Sequence, residues 1–199
     1  MFYVKIKKQG GDDLENINEQ NKTIYVVFTQ TGAMLSRVLK VVTRARYNHS
    51  SISLTDSLSP MYSFGRIRPK NPFWGGFVIE APRFGTFLRF PQTDAVVVSV
   101  SITDKQYEEI KSHLNEMYEN KDSYGYNYLG LALGLFGKGC QLKNRYYCSE
   151  FVKDVLVRFN IVSDDVFMEV VKPIDILNAL DGEIVYKGKL KDFTVQACS

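Results

Sequence analysis

The order of hydrophobic and polar positions divides the chain into a strand-rich first half and a helix-rich second half. Runs of β-branched and aromatic residues predict strands in TIYVVFTQT (23–31), NHSSISLTD (48–56), MYSFGR (61–66), GGFVIEA (75–81), GTFLRF (85–90) and AVVVSVSI (95–102). A last strand-like run, EIVYKGKLKDF (183–193), follows the helical region. A series of short strands followed by helices is typical of an α+β domain with a largely antiparallel sheet.

Hydrophobic residues recur at helical spacing in five further segments. These segments are 34–47, 103–121, 124–137, 144–159 and 172–180. In the second of them, Thr103 followed by Gln106 predicts a capping box at the start of the helix. In the fourth, Cys148 precedes Phe151 by three positions and Val152 by four, which puts the cysteine on the inward face of its helix.

Length and composition fit one globular domain with an appended arm. The chain has 199 residues, of which 45% are hydrophobic and 24% charged, as is ordinary for a protein that buries its own core. The polar start predicts an N-terminal arm or loop over 1–22 and a single domain over 23–199. No stretch of about 18 apolar residues occurs and no apolar leader is visible, so we expect no membrane span and a cytoplasmic protein.

Net charge and cysteine content exclude several functional classes. A formal net charge of +3 is too small for a typical nucleic-acid-binding protein. The three cysteines are Cys140, Cys148 and Cys198. Their odd number and the absence of C-x-x-C spacing argue against a disulfide framework and against a zinc site. We therefore expect reduced thiols, no bound metal and no cofactor.

Cys148 is the residue whose predicted surroundings suit chemistry best. A thiol reacts as its thiolate, and the unpaired N–H groups in the first turn of a helix lower the pKa of a cysteine there. The same N–H groups can hold an oxyanion during acyl transfer. The alternative is that Cys148 only fills space in the core, because cysteine is among the most buried residue types.

A cysteine nucleophile requires a base, and the chain has only two histidines. His113 lies in the charged helix EEIKSHLNEMY and is predicted to be a surface residue. His49 follows a turn at the start of a strand, where its side chain can face a cleft, and is the better candidate. A third group must hold the other imidazole nitrogen. Glu80, a carboxylate among apolar residues in GGFVIEAP, and Ser63 in MYSFGR are the two candidates.

Three segments of the chain resemble the circularly permuted papain-like cysteine hydrolases, the YiiX-like relatives of bacterial NlpC-type cell-wall endopeptidases. YNHSSISLTD is similar to the histidine strand of that family, FVIEAPRFGTFLRF to its VIEA strand and the apolar strand that follows, and YYCSEFVKDVL to its cysteine helix. The likeness spans about residues 24 to 180, with the histidine before the cysteine as in the permuted order. It implies a papain-like (NlpC-type) fold in circular permutation, with a central antiparallel sheet packed against helices.

The resemblance also implies a role for each candidate residue. Cys148 is the expected nucleophile, His49 the general base and Glu80 the group that orients it. Ser63 remains the alternative third residue, because the segment between the histidine and the glutamate is longer than the family pattern. We therefore expect a cysteine hydrolase or acyltransferase that acts through a thioester on an amide or ester bond of a peptide-like or acyl-lipid substrate.

Substrate-binding residues and a rival function can also be named from the sequence. Tyr146 and Tyr147, next to the cysteine, are candidates for substrate binding, and further aromatic candidates for the cleft are Tyr124, Tyr126 and Trp74. The rival function is a non-catalytic module on the same fold that binds a peptide or the surface of an anionic lipid membrane. The basic residues that favour it are Arg37, Lys40, Arg44 and Arg46. No motif indicates an oligomeric state.

Overall fold

A six-stranded antiparallel sheet forms the centre of the molecule. The computed structural model describes residues 21–31, 46–67, 74–134 and 136–194. In chain order its strands are β1 (Asn21–Gln30), β2 (His49–Ser53), β3 (Met61–Arg66), β4 (Gly75–Glu80), β5 (Asp94–Thr103), β6 (Gly125–Tyr126), β7 (Arg145–Tyr146) and β8 (Glu183–Lys189). The sheet has the order β4-β3-β2-β1-β5-β8, and each neighbouring pair is antiparallel. The short strands β6 and β7 form a separate parallel pair.

Five helices are present in the described ranges. They are α1 (Gly85–Arg89), α2 (Asp104–Glu119), α3 (Tyr128–Gly134), α4 (Cys148–Arg158) and α5 (Pro173–Ala179). The predicted capping box of α2 is confirmed, because Gln106 N donates to Thr103 Oγ1 at 3.2 Å and Thr103 N donates to Gln106 Oε1 at 3.0 Å. The antiparallel sheet and these helices together confirm the predicted α+β class for this part of the chain.

The two faces of the sheet cover two hydrophobic clusters. The larger cluster joins alternate residues of β1, such as Val26, to the inward face of α4, where Phe151, Val152 and Leu156 are buried. The smaller cluster lies on the opposite face and includes Val27, Met61, Phe87, Val97 and Leu190. This alternation follows from the period of two along a strand, and it leaves both faces of the central strands covered.

The prediction of a strand for GTFLRF is wrong, since Gly85–Arg89 is the short helix α1. Gly85 has a φ of +55°, a left-handed conformation that interrupts an extended chain. Turn hydrogen bonds then follow, from Phe87 N to Phe84 O at 3.2 Å and from Phe90 N to Thr86 O at 3.0 Å. In an apolar run this short, periodicity does not distinguish a strand from a helix. The helix is favoured here because it buries Phe87 in the smaller cluster.

Several predictions fall on residues outside the described ranges. They concern most of the 34–47 helix with Arg37, Lys40 and Arg44, most of the turn after Ile67, the C-terminal Cys198, and the predicted arm 1–22 apart from its last two residues, which belong to β1. Arg46 is described, and its guanidinium carbon lies 5.6 Å from the ring centroid of Tyr47. None of the helices in the described ranges has the length and hydrophobicity of a membrane span.

Candidate active site

Cys148 is the first residue of α4 and lies beside the start of β2. Tyr147, before it, has an extended backbone and donates its N–H to Glu150 Oε2 at 3.0 Å, which stabilises the start of the helix. Burial raises the pKa of the Cys148 thiol, whereas the main-chain N–H groups of Ser50 and Ser149 lower it. The residue is 6% exposed. The thiol therefore combines N–H donors with limited access to water.

His49 lies beside Cys148, although the two residues are far apart in the sequence. The Cys148 Sγ lies 3.9 Å from the main-chain oxygen of Asn48, the residue before the histidine. Hydrogen bonding and charge between the imidazole and the thiol oppose the effect of burial on the pKa of each group. The imidazole Nε2 lies 2.8 Å from Glu80 Oε2. Because Nε2 faces the carboxylate, Nδ1 is the ring nitrogen that remains for the sulfur.

The carboxylate of Glu80 is held by Ser51 as well as by the imidazole. Ser51 Oγ donates to Glu80 Oε2 at 2.8 Å and lies 3.3 Å from His49 Nε2. His49 and Ser51 project from one face of β2, since side chains alternate along a strand. Met61 pairs with both Ser53 and Glu80, so the glutamate lies on the same face. Sequence analysis did not single out Ser51, but its spacing of two from His49 is the signal that identifies it.

Mutual charges shift the pKa of all three titratable groups. Burial lowers the pKa of His49, but the Glu80 charge and hydrogen bonds with Cys148 and Glu80 hold it well above its usual value. Burial raises the pKa of the Cys148 thiol, but the hydrogen bond and charge of His49 lower it below its usual value. Burial likewise raises the pKa of Glu80, and the His49 charge lowers it overall. The cluster therefore favours the thiolate and imidazolium forms of Cys148 and His49 over the neutral pair, with Glu80 as the carboxylate.

The alternative candidates Ser63 and His113 lie elsewhere. Ser63 Oγ is buried and donates to the main-chain oxygen of Ser50 at 2.7 Å, so it does not hold the imidazole. His113 is half-buried rather than at the surface as predicted, with its ring 5.6 Å from that of Phe159. Phe159 follows the far end of α4, whose 11 residues separate it from Cys148 by about 16 Å.

An apolar groove runs past the sulfur. Its empty volume, including the open mouth, is ≈ 580 Å³. It lies between the segment before β2, helix α3, the start of α4 and the segment before α5, and its lining includes Tyr47, Tyr126, Leu131, Tyr147, Cys148, Val170 and Val171. An apolar group of a substrate that enters this groove lies next to Cys148.

The predicted aromatic residues are divided between this groove and the core. Tyr147 and Tyr126 line the groove. Tyr146 packs into the core instead, with its ring centroid 5.1 Å from that of Phe64, and Tyr124 lies 6.3 Å from the same ring. Trp74 is exposed at the start of β4.

A second polar cluster lies behind Cys148 and involves Asn127 and Glu150. Asn127 is fully buried. Its Nδ2 donates to Cys140 O at 2.7 Å and to both Glu150 oxygens at 3.2 and 3.1 Å, while its Oδ1 accepts from Gly130 N at 2.8 Å. Burial raises the pKa of Glu150 to about 7 in spite of these donors. Asn127 was not among the predicted residues, because a single asparagine in a tyrosine-rich segment has no recognisable motif.

The chain was also compared with known proteins. No family model, no curated protein and no solved structure matches it. Within the described ranges, no three His, Cys, Asp or Glu side chains converge as the ligands of a metal ion would.

Proposed function

We propose that the protein is a cysteine hydrolase or acyltransferase that acts on an amide or ester bond through a thioester. The observation that carries this proposal is the chain of contacts from Cys148 through His49 to Glu80, with Nε2 and Oε2 2.8 Å apart. A nucleophile, a base and an orienting carboxylate in this order are the requirements for thiol-dependent acyl transfer.

In the proposed reaction, the Cys148 thiolate attacks the substrate carbonyl carbon and forms a tetrahedral oxyanion. Main-chain N–H groups at the start of α4 stabilise this oxyanion. His49 then gives its Nδ1 proton to the leaving amine or alkoxide as the bond to carbon breaks, and a thioester remains on the sulfur. Water, or another acceptor, loses a proton to His49 as it attacks the thioester, and the thiolate is released again.

The groove supports a substrate whose acyl part is apolar. Tyr126, Leu131 and Val171 line it beside the sulfur, so a carbonyl at Cys148 can direct an aliphatic chain or an apolar side chain into it. Both acyl lipids and peptide-like amides provide such groups. Tyr147 is in position to contact the substrate in this arrangement, whereas Tyr146 supports the groove from the core.

We further propose that the architecture is a circularly permuted papain-like fold. Its support is the chain order, in which the strand that begins at His49 precedes the helix that begins at Cys148. The sheet supplies the base and the carboxylate, and the helix that packs across it supplies the nucleophile. The likeness of the histidine, VIEA and cysteine segments to that family agrees with this arrangement.

Alkylation of each cysteine by iodoacetamide, followed across pH by peptide mass spectrometry, tests the proposal. We expect Cys148 to react near neutral pH, faster than Cys140 in the same sample, because its thiolate is stabilised by the His49 imidazolium. His49→Ala should abolish this reactivity, and His113→Ala, the matched control, should preserve it. Hydrolysis of nitrophenyl esters of increasing acyl length should require Cys148. If Cys148 reacts only above about pH 8, as an ordinary thiol does, the proposal is wrong.

A further inference from the structure

Helix α1 has one face against the candidate active site and the other in solvent. Phe87 is buried, and its ring centroid lies 6.4 Å from that of the His49 imidazole. Phe84 and Leu88 are each 68% exposed. Leu88 N donates to Phe84 O at 3.4 Å, so these two side chains lie one helical turn apart on the outer face.

Exposed apolar side chains continue from α1 onto the β4 edge of the sheet. Ile67, after β3, and Ile79, on β4, are both exposed. Together with Phe84 they line one hollow, to which Glu80 also contributes. We refer to Ile67, Ile79, Phe84 and Leu88 as the apolar patch. A contiguous apolar surface of this kind marks a site of contact with a partner rather than an ordinary solvated surface.

Basic side chains surround the apolar patch. Arg66 and Lys121 line the same hollow, and Arg83 and Arg89 stand on either side of the exposed residues of α1. None of these four forms an ion pair with another described residue. The acidic residues of the hollow are Asp122 and Glu80, and the latter is already held by His49 and Ser51. The rim of the patch is therefore positively charged.

We propose that the apolar patch docks on the surface of a bilayer that contains anionic lipids. Aromatic and aliphatic side chains beside arginine and lysine fit the membrane interface, where acyl chains meet anionic headgroups. A second copy of the chain fits less well, because a two-fold contact would bring the same basic rim against itself. Docking places the hollow to which Glu80 contributes at the membrane surface. This docking does not depend on the proposed hydrolase activity.

Co-sedimentation of the full chain with vesicles tests this docking surface. The parent protein carries Cys148→Ala, so that no turnover alters the vesicles. We expect it to bind phosphatidylcholine vesicles that contain phosphatidylserine better than pure phosphatidylcholine vesicles, and salt should weaken the binding. The F84S/L88S variant should bind at least about tenfold more weakly, because two large side chains no longer insert. R83Q/R89Q should bind both kinds of vesicle nearly equally.

Met168→Ser is the matched control, since this side chain is 81% exposed and lies between α4 and α5. It should bind as the parent does, and circular dichroism should show that all variants fold. The inference is overturned if the parent does not bind anionic vesicles, or if F84S/L88S binds as well as Met168→Ser. It is also overturned if neither the parent nor F84S/L88S binds vesicles and sedimentation velocity shows that the parent is a dimer and F84S/L88S a monomer. In that case the apolar patch is a contact between two copies of the chain. Iodoacetamide reactivity of the unsubstituted chain reports separately on the proposed function.

Discussion

Glu80 is the residue on which the charge of His49 depends, because burial alone would keep the imidazole neutral. Replacement of Glu80 by glutamine keeps the shape and one hydrogen bond but removes the negative charge. We expect the pKa of His49 to fall and the pKa of Cys148 to rise, because the charge that stabilises the imidazolium is removed. The pH midpoint of Cys148 alkylation should move upward, and ester hydrolysis at pH 7 should slow about tenfold to a hundredfold.

Ser63→Ala is the control for this prediction. Ser63 contacts the main-chain oxygen of Ser50 and not the imidazole, so its loss should leave the alkylation midpoint unchanged. The opposite result, a shift for Ser63→Ala and none for Glu80→Gln, would assign the third position of the site to the serine.

The site residues differ in how far they can be identified from sequence. Cys148 and His49 are prominent because the chain has three cysteines and two histidines. Glu80 is prominent because a carboxylate between apolar residues is unusual. Ser51 and Asn127 belong to common residue types, and their contacts depend on strand register and on loops that meet only in the folded chain. Their positions are therefore findings of the structure.

At the scale of elements, Asn127 joins the start of α3, the segment around Cys140 and the start of α4. Asn127→Ala would remove the donor to the Cys140 carbonyl and one donor to the Glu150 carboxylate, which keeps the N–H of Tyr147. We expect a loss of about 2–3 kcal/mol in the free energy of unfolding, measured with urea. Alkylation of Cys148 should also slow, because the turn that presents the sulfur is less firmly held.

Asn120→Ala provides the comparison for this prediction. Asn120 Nδ2 also donates to a main-chain oxygen, that of Glu116 at 2.9 Å, but at an exposed position at the end of α2. Loss of this hydrogen bond should lower the free energy of unfolding by well under half of the decrease for Asn127→Ala, since water can replace an exposed donor. Equal losses for the two variants would show that burial of the asparagine has no special role.

The elements that sequence analysis missed are short. Long runs such as those of β1, β5 and α2 carry enough periodicity to predict their type, and their existence is confirmed. Helix α1 has five residues and the strands β6 and β7 have two each. Their conformation depends on contacts distant in sequence, such as Phe87 in the smaller cluster or the pairing of Tyr126 with Tyr146. Local pattern carries no information about such contacts.

At the scale of the whole molecule, strand order creates the candidate site. His49 is on β2 and Glu80 on β4, two strands that are about 10 Å apart because β3 lies between them. The two side chains bridge this distance, with His49 Nε2 and Glu80 Oε2 2.8 Å apart. Neither the strand order nor the packing of α4 across β2 can be read from the hydrophobic pattern, although the α+β class can.

Glu150 links the stability of the whole molecule to pH. Its pKa rises from 4.5 to about 7 on folding, so between these values the folded protein holds a proton that the unfolded chain releases. The free energy of unfolding therefore falls as pH rises through this range. We expect a decrease on the order of 1 kcal/mol from pH 5 to pH 7, a magnitude discounted for partial exposure of the carboxylate. Glutamine at position 150 cannot titrate, so the free energy of unfolding of Glu150→Gln should not show this decrease. Urea unfolding at several pH values measures it.

The pH range of this change distinguishes Glu150 from Glu80 and His49, whose pKa values also shift on folding. Glu80 has a lowered pKa, so its contribution is present above pH 4.5 and is lost only as pH falls further. His49 has a raised pKa, so its contribution is complete below pH 6.5 and is lost as pH rises through the folded value. Glu109→Gln, at an exposed position facing Lys105, controls for the loss of one negative charge. The free energy of unfolding of Glu150→Gln and that of the unsubstituted chain could instead change equally between pH 5 and 6.5. That result would mean that hydrogen bonds from Tyr147 and Asn127 keep the carboxylate ionised. In that case the start of α4 is held by a charge at all these pH values.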